Sequence, residues 1–260
     1  MMLDAAQINA TLLPGAPKVV CIDQVTSTNS VLRERLAAGH SPHVLVANEQ
    51  TQGRGRRGRH WLSPPNGGLY LSYPHITKRP TASLGTLSLV VAVSVATALP
   101  APLWVKWPND LVLRQGGQWA KVGGCLVEMT LNPHPPHLAI CGIGINWALG
   151  DAVAELKEKE PDQAWADLPA TMNKNVLVAE LVNQLHQDLE LFSLEGFEAF
   201  GDRWRALHAL MDQSVQVTES GQPPFVGLAG DVNAVGQLAV ATARGVEWVS
   251  AGDVSIRPSG

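Results

Sequence analysis

The chain has 260 residues, with 19 basic and 23 acidic side chains, a formal net charge of -4, 45% hydrophobic and 16% charged residues. These fractions describe a globular protein with material for a sizeable core, and they exclude disorder, collagen-like repeats and coiled coil. At roughly 100–200 residues per domain, the length predicts one large domain, or one large and one small.

In chain order, Ser27 to Gly39 reads as a short helix. Ser27, Thr28 and Asn29 are good N-cap types, Leu32 and Leu36 repeat at helical spacing, and Gly39 is a stop. Val44 to Asn48 predicts a strand that runs into a basic, glycine-rich segment. The run Ser63-Pro64-Pro65-Asn66-Gly67-Gly68 breaks regular structure before a strand over Leu69 to Tyr73. The longest apolar stretch, Leu84 to Leu99, is interrupted by Gly85, Thr86, Ser88, Ser94 and Thr97 and ends at Pro100. A membrane span needs ~20 apolar residues, so a buried helix is expected near 82–99.

Strands follow at Leu103 to Lys106 and Leu111 to Arg114, flanking Trp107-Pro108-Asn109-Asp110, with a hairpin turn at Gln115-Gly116-Gly117-Gln118. Val122 to Thr130 and Leu138 to Asn146 read as strands separated by a proline-rich turn. Val178, Leu181, Val182, Leu185, Leu189 and Phe192 mark the clearest amphipathic helix, and a second helix is expected over Phe197 to Leu210. From about Ser214 the pattern becomes five short strands (214–219, 225–231, 238–242, 246–250, 254–257), which suggests a small barrel and a boundary near residue 212.

No basic region precedes a hydrophobic one at the N-terminus, so no secretory signal is expected. Cys21, Cys125 and Cys141 lack CxxC spacing and read as reduced core thiols of a cytoplasmic protein. The pairs His40/His43 and His134/His137 read as surface residues rather than a zinc site.

Charge is unevenly placed. No acidic residue occurs between Glu49 and Asp110, an interval holding Arg54, Arg56, Arg57, Arg59, Lys78, Arg79 and Lys106. That region is built to meet an anion: nucleic acid, membrane phosphate or a small phosphorylated ligand. Gly53-Arg54-Gly55-Arg56-Arg57-Gly58-Arg59 matches GxGxxG after a strand, yet His60-Trp61-Leu62-Ser63-Pro64-Pro65 cannot open a helix and no acid follows at the required spacing. Neither GxxxxGK[ST] nor GxSxG occurs. Glycines alternating with arginines let backbone N–H groups approach a ligand while guanidinium groups pair with carboxylate or phosphate oxygens. A solvated charge run and an RGG-like nucleic-acid segment are the alternatives.

Three further segments favour a site. Lys106-Trp107-Pro108-Asn109-Asp110 places a cation, an amide and a carboxylate around a proline-fixed turn. Lys121-Val122-Gly123-Gly124 opens the next strand with a lysine and two glycines. In Gly142-Ile143-Gly144-Ile145-Asn146, strand alternation puts two bare positions and an amide on one face, suited to a flat ligand lying close to backbone.

Ser27-Thr28-Asn29, Gly53 to Arg59, Lys106 to Asp110, Lys121 to Gly124 and Gly142 to Asn146 stand in the order and spacing of biotin protein ligases. The chain resembles that family from about Val25 to Arg257, including Gly252-Asp253-Val254-Ser255-Ile256-Arg257. The GRGRRGR and KWPND segments are specific, whereas the STN and GIGIN segments alone are weak signals. The resemblance implies an α+β fold of the class II aminoacyl-tRNA synthetase/biotin ligase type. A seven-stranded mixed sheet backed by helices forms a catalytic domain (1–211), followed by a small SH3-like β-barrel (212–260). It implies activation of biotin by ATP with Mg2+ to biotinyl-5′-AMP, then transfer to a lysine of a biotin carboxyl carrier protein domain, of acetyl-CoA carboxylase or a related biotin enzyme.

Carried over residue by residue, Ser27, Thr28, Asn29 and Gln50 resemble the segment holding biotin's ureido ring. Arg54, Gly55 and Arg56 match the loop closing over the ligand, with Gly124 also on the biotin side. Lys121 resembles the lysine that neutralises reacting carboxylate and phosphate oxygens, and Asp110 the acid that orients the incoming amine. Arg56, Arg59, Trp61, Asn109 and Asn146 resemble nucleotide contacts; no metal ligand is implied. Trp147 follows Asn146 where the family often has a smaller residue. About 20 residues precede the first matching strand, against a helix-turn-helix domain in members that double as repressors, so the chain resembles the monofunctional class. No specific DNA binding and no membrane are expected, and a monomer or homodimer. A lipoate-protein ligase of the same fold and a non-catalytic biotin-sensing regulator are the rivals. The first is disfavoured because GRGRRGR stands where that family has an RRxSGGGAV-type segment.

Overall fold

Two β-sheets organise the chain, and the computed structural model describes residues 3–169, 172–219, 221–252 and 254–258. The larger sheet contains β1 (Val19–Val25), β2 (Val44–Gln50), β3 (Gly68–Thr77), β4 (Trp104–Lys106), β5 (Asp110–Gln115), β6 (Gln118–Thr130) and β7 (His137–Asn146), in the order β1-β2-β3-β7-β6-β5-β4. β1 and β2 run parallel and every other neighbouring pair antiparallel, so the sheet is mixed. The smaller sheet contains β8 (Ser214–Glu219), β9 (Phe225–Val232), β10 (Leu238–Thr242), β11 (Gly245–Val249) and β12 (Val254–Pro258), all antiparallel in the order β11-β10-β9-β8-β12.

Side chains on successive strand positions point to opposite faces, and that alternation divides the core in two. Val44, Val46, Ala139 and Cys141 face the main cluster under α3 (Leu87–Ala98) and α5 (Lys174–Glu195), while Leu45 and Ile140 face Leu32 of α2 (Thr28–Ala37). α3 is apolar on every side because it is the middle of that core. The Ser94 and Thr97 hydroxyls donate to the Val90 and Val93 carbonyls at 2.8 Å, so its polar atoms are satisfied internally. Thr81–Ala98 is long and apolar enough to cross a membrane, and here it is a 3-10 turn followed by a buried helix, as the interrupted pattern predicts. Gly116 and Gly117 take φ of 57° and 81° in the tight β5–β6 hairpin, matching the two-residue turn read from sequence.

The remaining helices are α1 (Ala5–Ala10), α4 (Ala152–Lys159) and α6 (Gly201–Leu207). α1 and α4 are too short to show helical periodicity. α1 is set by tertiary hydrogen bonds, with Asp4 Oδ1 capping Ala6 and Gln7 while the side chains of Asn175 and Asn183 in α5 hold the Asp4 and Leu13 backbones. Three readings need correction. The helix expected over Phe197 to Leu210 is a 3-10 turn plus α6 and ends at Leu207, because the chain then leaves to pair with the edge strand β4, Ala209 N–H donating to Val105 O at 2.9 Å. His137 is buried rather than on the surface: it opens β7 opposite Thr77, and its Nδ1 lies 3.3 Å from the Asn132 N–H across the turn. Cys21 is half-buried, whereas Cys125 and Cys141 are core residues, and all three are free thiols. Asp253 of the terminal matching segment lies outside the described residues.

Candidate active site

The ends of β2, β5, β6 and β7, the N-terminus of α2 and the basic segment enclose a cavity of about 700 Å³. It is lined by every residue singled out from sequence: Ser27, Thr28, Asn29, Gln50, Arg54, Gly55, Arg56, Arg59, Trp61, Asn109, Asp110, Lys121, Gly124 and Asn146. Eight basic and three acidic side chains line it, so the acid-free interval of the sequence contributes to a positive lining.

Register builds the floor. Gly144 pairs with Gly124 on β6 and Tyr70 on β3, and Gly142 pairs with Ser72. The bare faces of Gly142 and Gly144 are not open to a ligand: a Cβ at 142 would stand 2.5 Å from Asn29 Oδ1, and one at 144 would stand 2.6 Å from Trp61 Nε1. The flat group that needs these glycines is the protein's own amide and indole. Trp147 points the other way, into the core, as the residue after a pocket-facing strand position must.

The segment at the start of α2 is wired to the floor by buried polar groups. Gln50 Oε1 accepts the Thr28 N–H at 2.8 Å, and its Nε2 donates to Ser63 Oγ at 2.9 Å. Ser72 Oγ lies 2.5 Å from Asn29 Oδ1 and 2.7 Å from Thr28 Oγ1. Asn29 Nδ2 donates to Glu128 Oε2 at 2.8 Å. Thr28, Asn29 and Gln50 are therefore largely satisfied within the protein, as buried polar groups must be. Ser27 caps α2 through its extended backbone with no side-chain cap bond, which leaves its hydroxyl for the cavity.

The basic segment is a hairpin, with Gly55 N–H bonded to Arg59 O and Trp61 N–H to Gly53 O, both at 2.8 Å. No helix opens at its last glycine, as the sequence requires; a single 3-10 turn at Arg56–Gly58 carries Arg57 at φ 60°. Each arginine reaches a different element. Arg54 pairs with Glu128 on β6. Arg56 donates to Asn109 Oδ1 at 3.1 Å and to the Ala251 carbonyl, Arg57 to the Gly252 carbonyl, and Arg59 to Glu160 at 3.3 Å. Two anchors thus belong to the loop between β11 and β12. Burial lowers the Arg56 pKa, and its neighbour Arg57 adds to that.

Lys121 Nζ forms an ion pair with Asp110 Oδ1 at 2.8 Å and stands 5.5 and 5.6 Å from the ring centroids of Trp61 and Trp165. The KWPND turn is held by Asn109, whose Nδ2 donates to Cys125 O at 2.7 Å while its carbonyl accepts the Cys125 N–H at 2.9 Å. Asn146 Nδ2 donates to Ala166 O at 3.1 Å. The indole N–H groups of Trp61 and Trp165 are buried without a partner, two donors beside the Lys121 ammonium. Lys106 also lines the cavity opposite Asp110; burial lowers its pKa, and Asp110 opposes that shift. Lys106, Trp165, Glu160 and Arg257 are cavity residues that the sequence reading did not assign. For Lys106 the signal was its place at the head of KWPND and for Arg257 its place at the end of the terminal matching segment; Trp165 and Glu160 come from segments without a motif.

This arrangement can hold an anionic ligand between the basic hairpin and paired Lys121 and Asp110, over a floor of fixed amides and hydroxyls. The biotin/lipoate A/B protein ligase family model matches residues 21–146. The bifunctional ligase/repressor BirA of Salmonella typhimurium is 33% identical, covering 98% of this chain and 79% of that protein. The biotin–[acetyl-CoA-carboxylase] ligase of Mycobacterium tuberculosis is 29% identical over 90% of this chain and 86% of that one. Among solved structures, the biotin protein ligase of Aquifex aeolicus in complex with biotin and ATP superposes with a TM-score of 0.67 at 26% identity, covering 93% of this chain and 99% of that chain. The matched segment carries the whole floor and basic hairpin of the cavity, and the chain belongs to the biotin/lipoate A/B protein ligase family, among its biotin protein ligases.

Proposed function

We propose that the chain is an ATP-dependent enzyme that activates biotin as biotinyl-5′-AMP and transfers the biotinyl group to a lysine of a biotin carboxyl carrier protein. The observation that carries this reading is the Lys121–Asp110 pair, 2.8 Å apart, under a hairpin of arginines at one end of a cavity whose floor is neutral and hydrogen-bonded. One end suits reacting anions and the other an uncharged ring.

In the first step a biotin carboxylate oxygen bonds to the α-phosphorus of ATP and the bond to the β-phosphate oxygen breaks, releasing pyrophosphate. Two anions must meet, so fixed cations stabilise encounter and transition state together. Lys121 and Arg56 take that role, with Arg59 toward the departing phosphates. Ser27, Thr28, Asn29 and Gln50 hold the ureido end, with Arg54, Gly55 and Gly124 beside the biotin chain; Trp61, Asn109 and Asn146 lie on the nucleotide side. In the second step the carrier lysine's nitrogen bonds to the acyl carbon, the acyl–oxygen bond breaks and AMP leaves. Asp110 orients the amine and accepts its proton.

Among the described residues no cluster of three His, Cys, Asp or Glu groups forms a metal cage. Each cavity carboxylate is engaged by a cation: Asp110 by Lys121, Glu160 by Arg59 and Asp162 by Arg257. This donor set fits Mg2+ arriving on ATP phosphates as part of the substrate, the usual habit of that ion. We divide the chain into a catalytic domain (1–211) and a C-terminal domain (212–260), a division supported by the second sheet beginning at Ser214. The reading includes cytoplasmic location, a monomer or homodimer, and no operator-DNA role; a sequence-selective gel shift would overturn the last.

The test is incubation with biotin, ATP, Mg2+ and a carrier domain of acetyl-CoA carboxylase, followed by intact mass. One biotinyl addition that depends on ATP is expected. An unmodified carrier, or lipoyl transfer in its place, overturns the reading.

A further inference from the structure

Glu128 stands at a junction that none of the sequence motifs includes. Its side chain is 16% exposed, on β6 one strand away from β7. Oε1 accepts from Arg54 of the basic hairpin and from Arg33 of α2, the latter at 3.1 Å; Oε2 accepts from Asn29 Nδ2 at 2.8 Å. From Asn29 the hydrogen bonds continue through Ser72 to Thr28, from Thr28 to Gln50, and from Gln50 to Ser63, whose hydroxyl lies 3.2 Å from Trp61 O. The chain of bonds leaves the hairpin at Arg54, crosses the cavity floor beneath Gly142's partner and returns to the hairpin's far end at Trp61. One carboxylate closes that circuit.

We propose that Glu128 is a positioning residue that couples occupancy of the cavity floor to closure of the basic hairpin, by holding Arg54 and the Asn29 amide with the two oxygens of one carboxylate. The proposal deepens the ligase reading above and rests on it. Like charges crowd the hairpin, and Glu128 is the carboxylate paired with its first arginine. A ligand that fixes Asn29 steadies Oε2 and, through the same rigid group, the Arg54 anchor at Oε1. Charge-assisted hydrogen bonds of this kind are the strong ones, so loss of the charge should open the hairpin while the floor persists.

The experiment measures how fast labelled biotin, converted in the site by ATP, leaves when chased with unlabelled biotin, in wild type, Glu128→Gln, Arg54→Gln and the double variant. Arg33→Gln is the control, because it shares Oε1 without belonging to the hairpin. Release should be about tenfold faster in E128Q and in R54Q, the size expected when a charge-assisted bond is reduced to a neutral one, and no faster in the double variant. R33Q should stay within twofold, with biotin KM raised more than kcat is lowered in E128Q. Wild-type turnover with release in E128Q or R54Q within twofold of wild type, additive effects in the double variant, or an R33Q effect equal to that of E128Q, overturns the coupling while leaving the ligase reading intact. If E128Q does not fold, Glu128→Asp, which keeps the charge but withdraws it from Arg54 and Asn29, takes its place against R33Q, with faster release expected and release within twofold of wild type overturning the coupling. Absence of wild-type turnover fails the ligase reading instead.

Discussion

Trp61 packs against Gly144, its Nε1 2.6 Å from where a Cβ would stand, and Lys121 Nζ sits 5.5 Å from the centroid of the same ring. The glycine, the indole and the ammonium are neighbours in the cavity lining. A side chain at 144 would have to push Trp61 off the strand. Overpacking of this kind costs about 1–3 kcal/mol. Gly144→Val should therefore weaken nucleotide binding by roughly tenfold with the sheet intact. Calorimetric titration with ATP in the presence of biotin reads this directly; unchanged affinity would remove the indole from the nucleotide site.

Lys121→Ala removes the ammonium between the reacting anions and leaves Asp110 without its 2.8 Å partner. Loss of one preorganised electrostatic group lowers the rate by about 10²–10³-fold, and pyrophosphate release should fall by that much. Asp110→Asn should act differently, slowing transfer to the carrier more than pyrophosphate release, because it removes the proton acceptor of the second step. Equal slowing of both steps would assign Asp110 to holding Lys121 alone.

The hairpin is exposed at Arg54, Arg57 and Arg59, and its anchors lie on β6, at the cavity wall and on the loop between β11 and β12. Four mutually repelling arginines and three glycines make the segment costly to order without an anion. Trypsin should cut within 54–59 in the free protein, and biotin with ATP should slow that cutting more than ATP alone. Equal cutting rates with biotin binding demonstrated separately would show that the hairpin is not a lid.

His75 and His208 are buried, and burial pushes both imidazoles down to about 4. The unfolded chain takes these protons near pH 6.5 and the folded chain only near pH 4, so stability is full above 6.5 and is lost as pH falls between those values. At pH 5 each costs about 2 kcal/mol by that linkage. His208 stacks on Trp204 at 4.5 Å with neither ring nitrogen partnered, so His208→Phe should flatten the acid side of the stability profile. A denaturant titration at pH 5 and pH 7.5 measures it; an unchanged difference between the two would place the acid sensitivity elsewhere.

The sheet strands from Val44 onward, the buried α3, the amphipathic α5 and the run of short terminal strands are all legible in the linear sequence. Each is written in local periodicity and turn residues, which act over a few positions. It also brought out the cavity's basic hairpin and its KWPND turn, because glycine–arginine alternation and a proline-fixed turn are unusual enough to read without a fold. What those residues touch follows from the packing of distant segments. Asn29 and Gln50 carry the donors and acceptors that suit a urea, but the fold brings Ser72 and Glu128 to Asn29 and brings Thr28 and Ser63 to Gln50, and engages them inside the protein. Glu160 and Trp165 join the cavity from segments with no motif to mark them, and Glu128 reaches Arg54 and Asn29 from β6. Periodicity reports which face a residue takes, whereas a hydrogen bond between residues 29 and 128 depends on the pairing of whole strands, which no local pattern records.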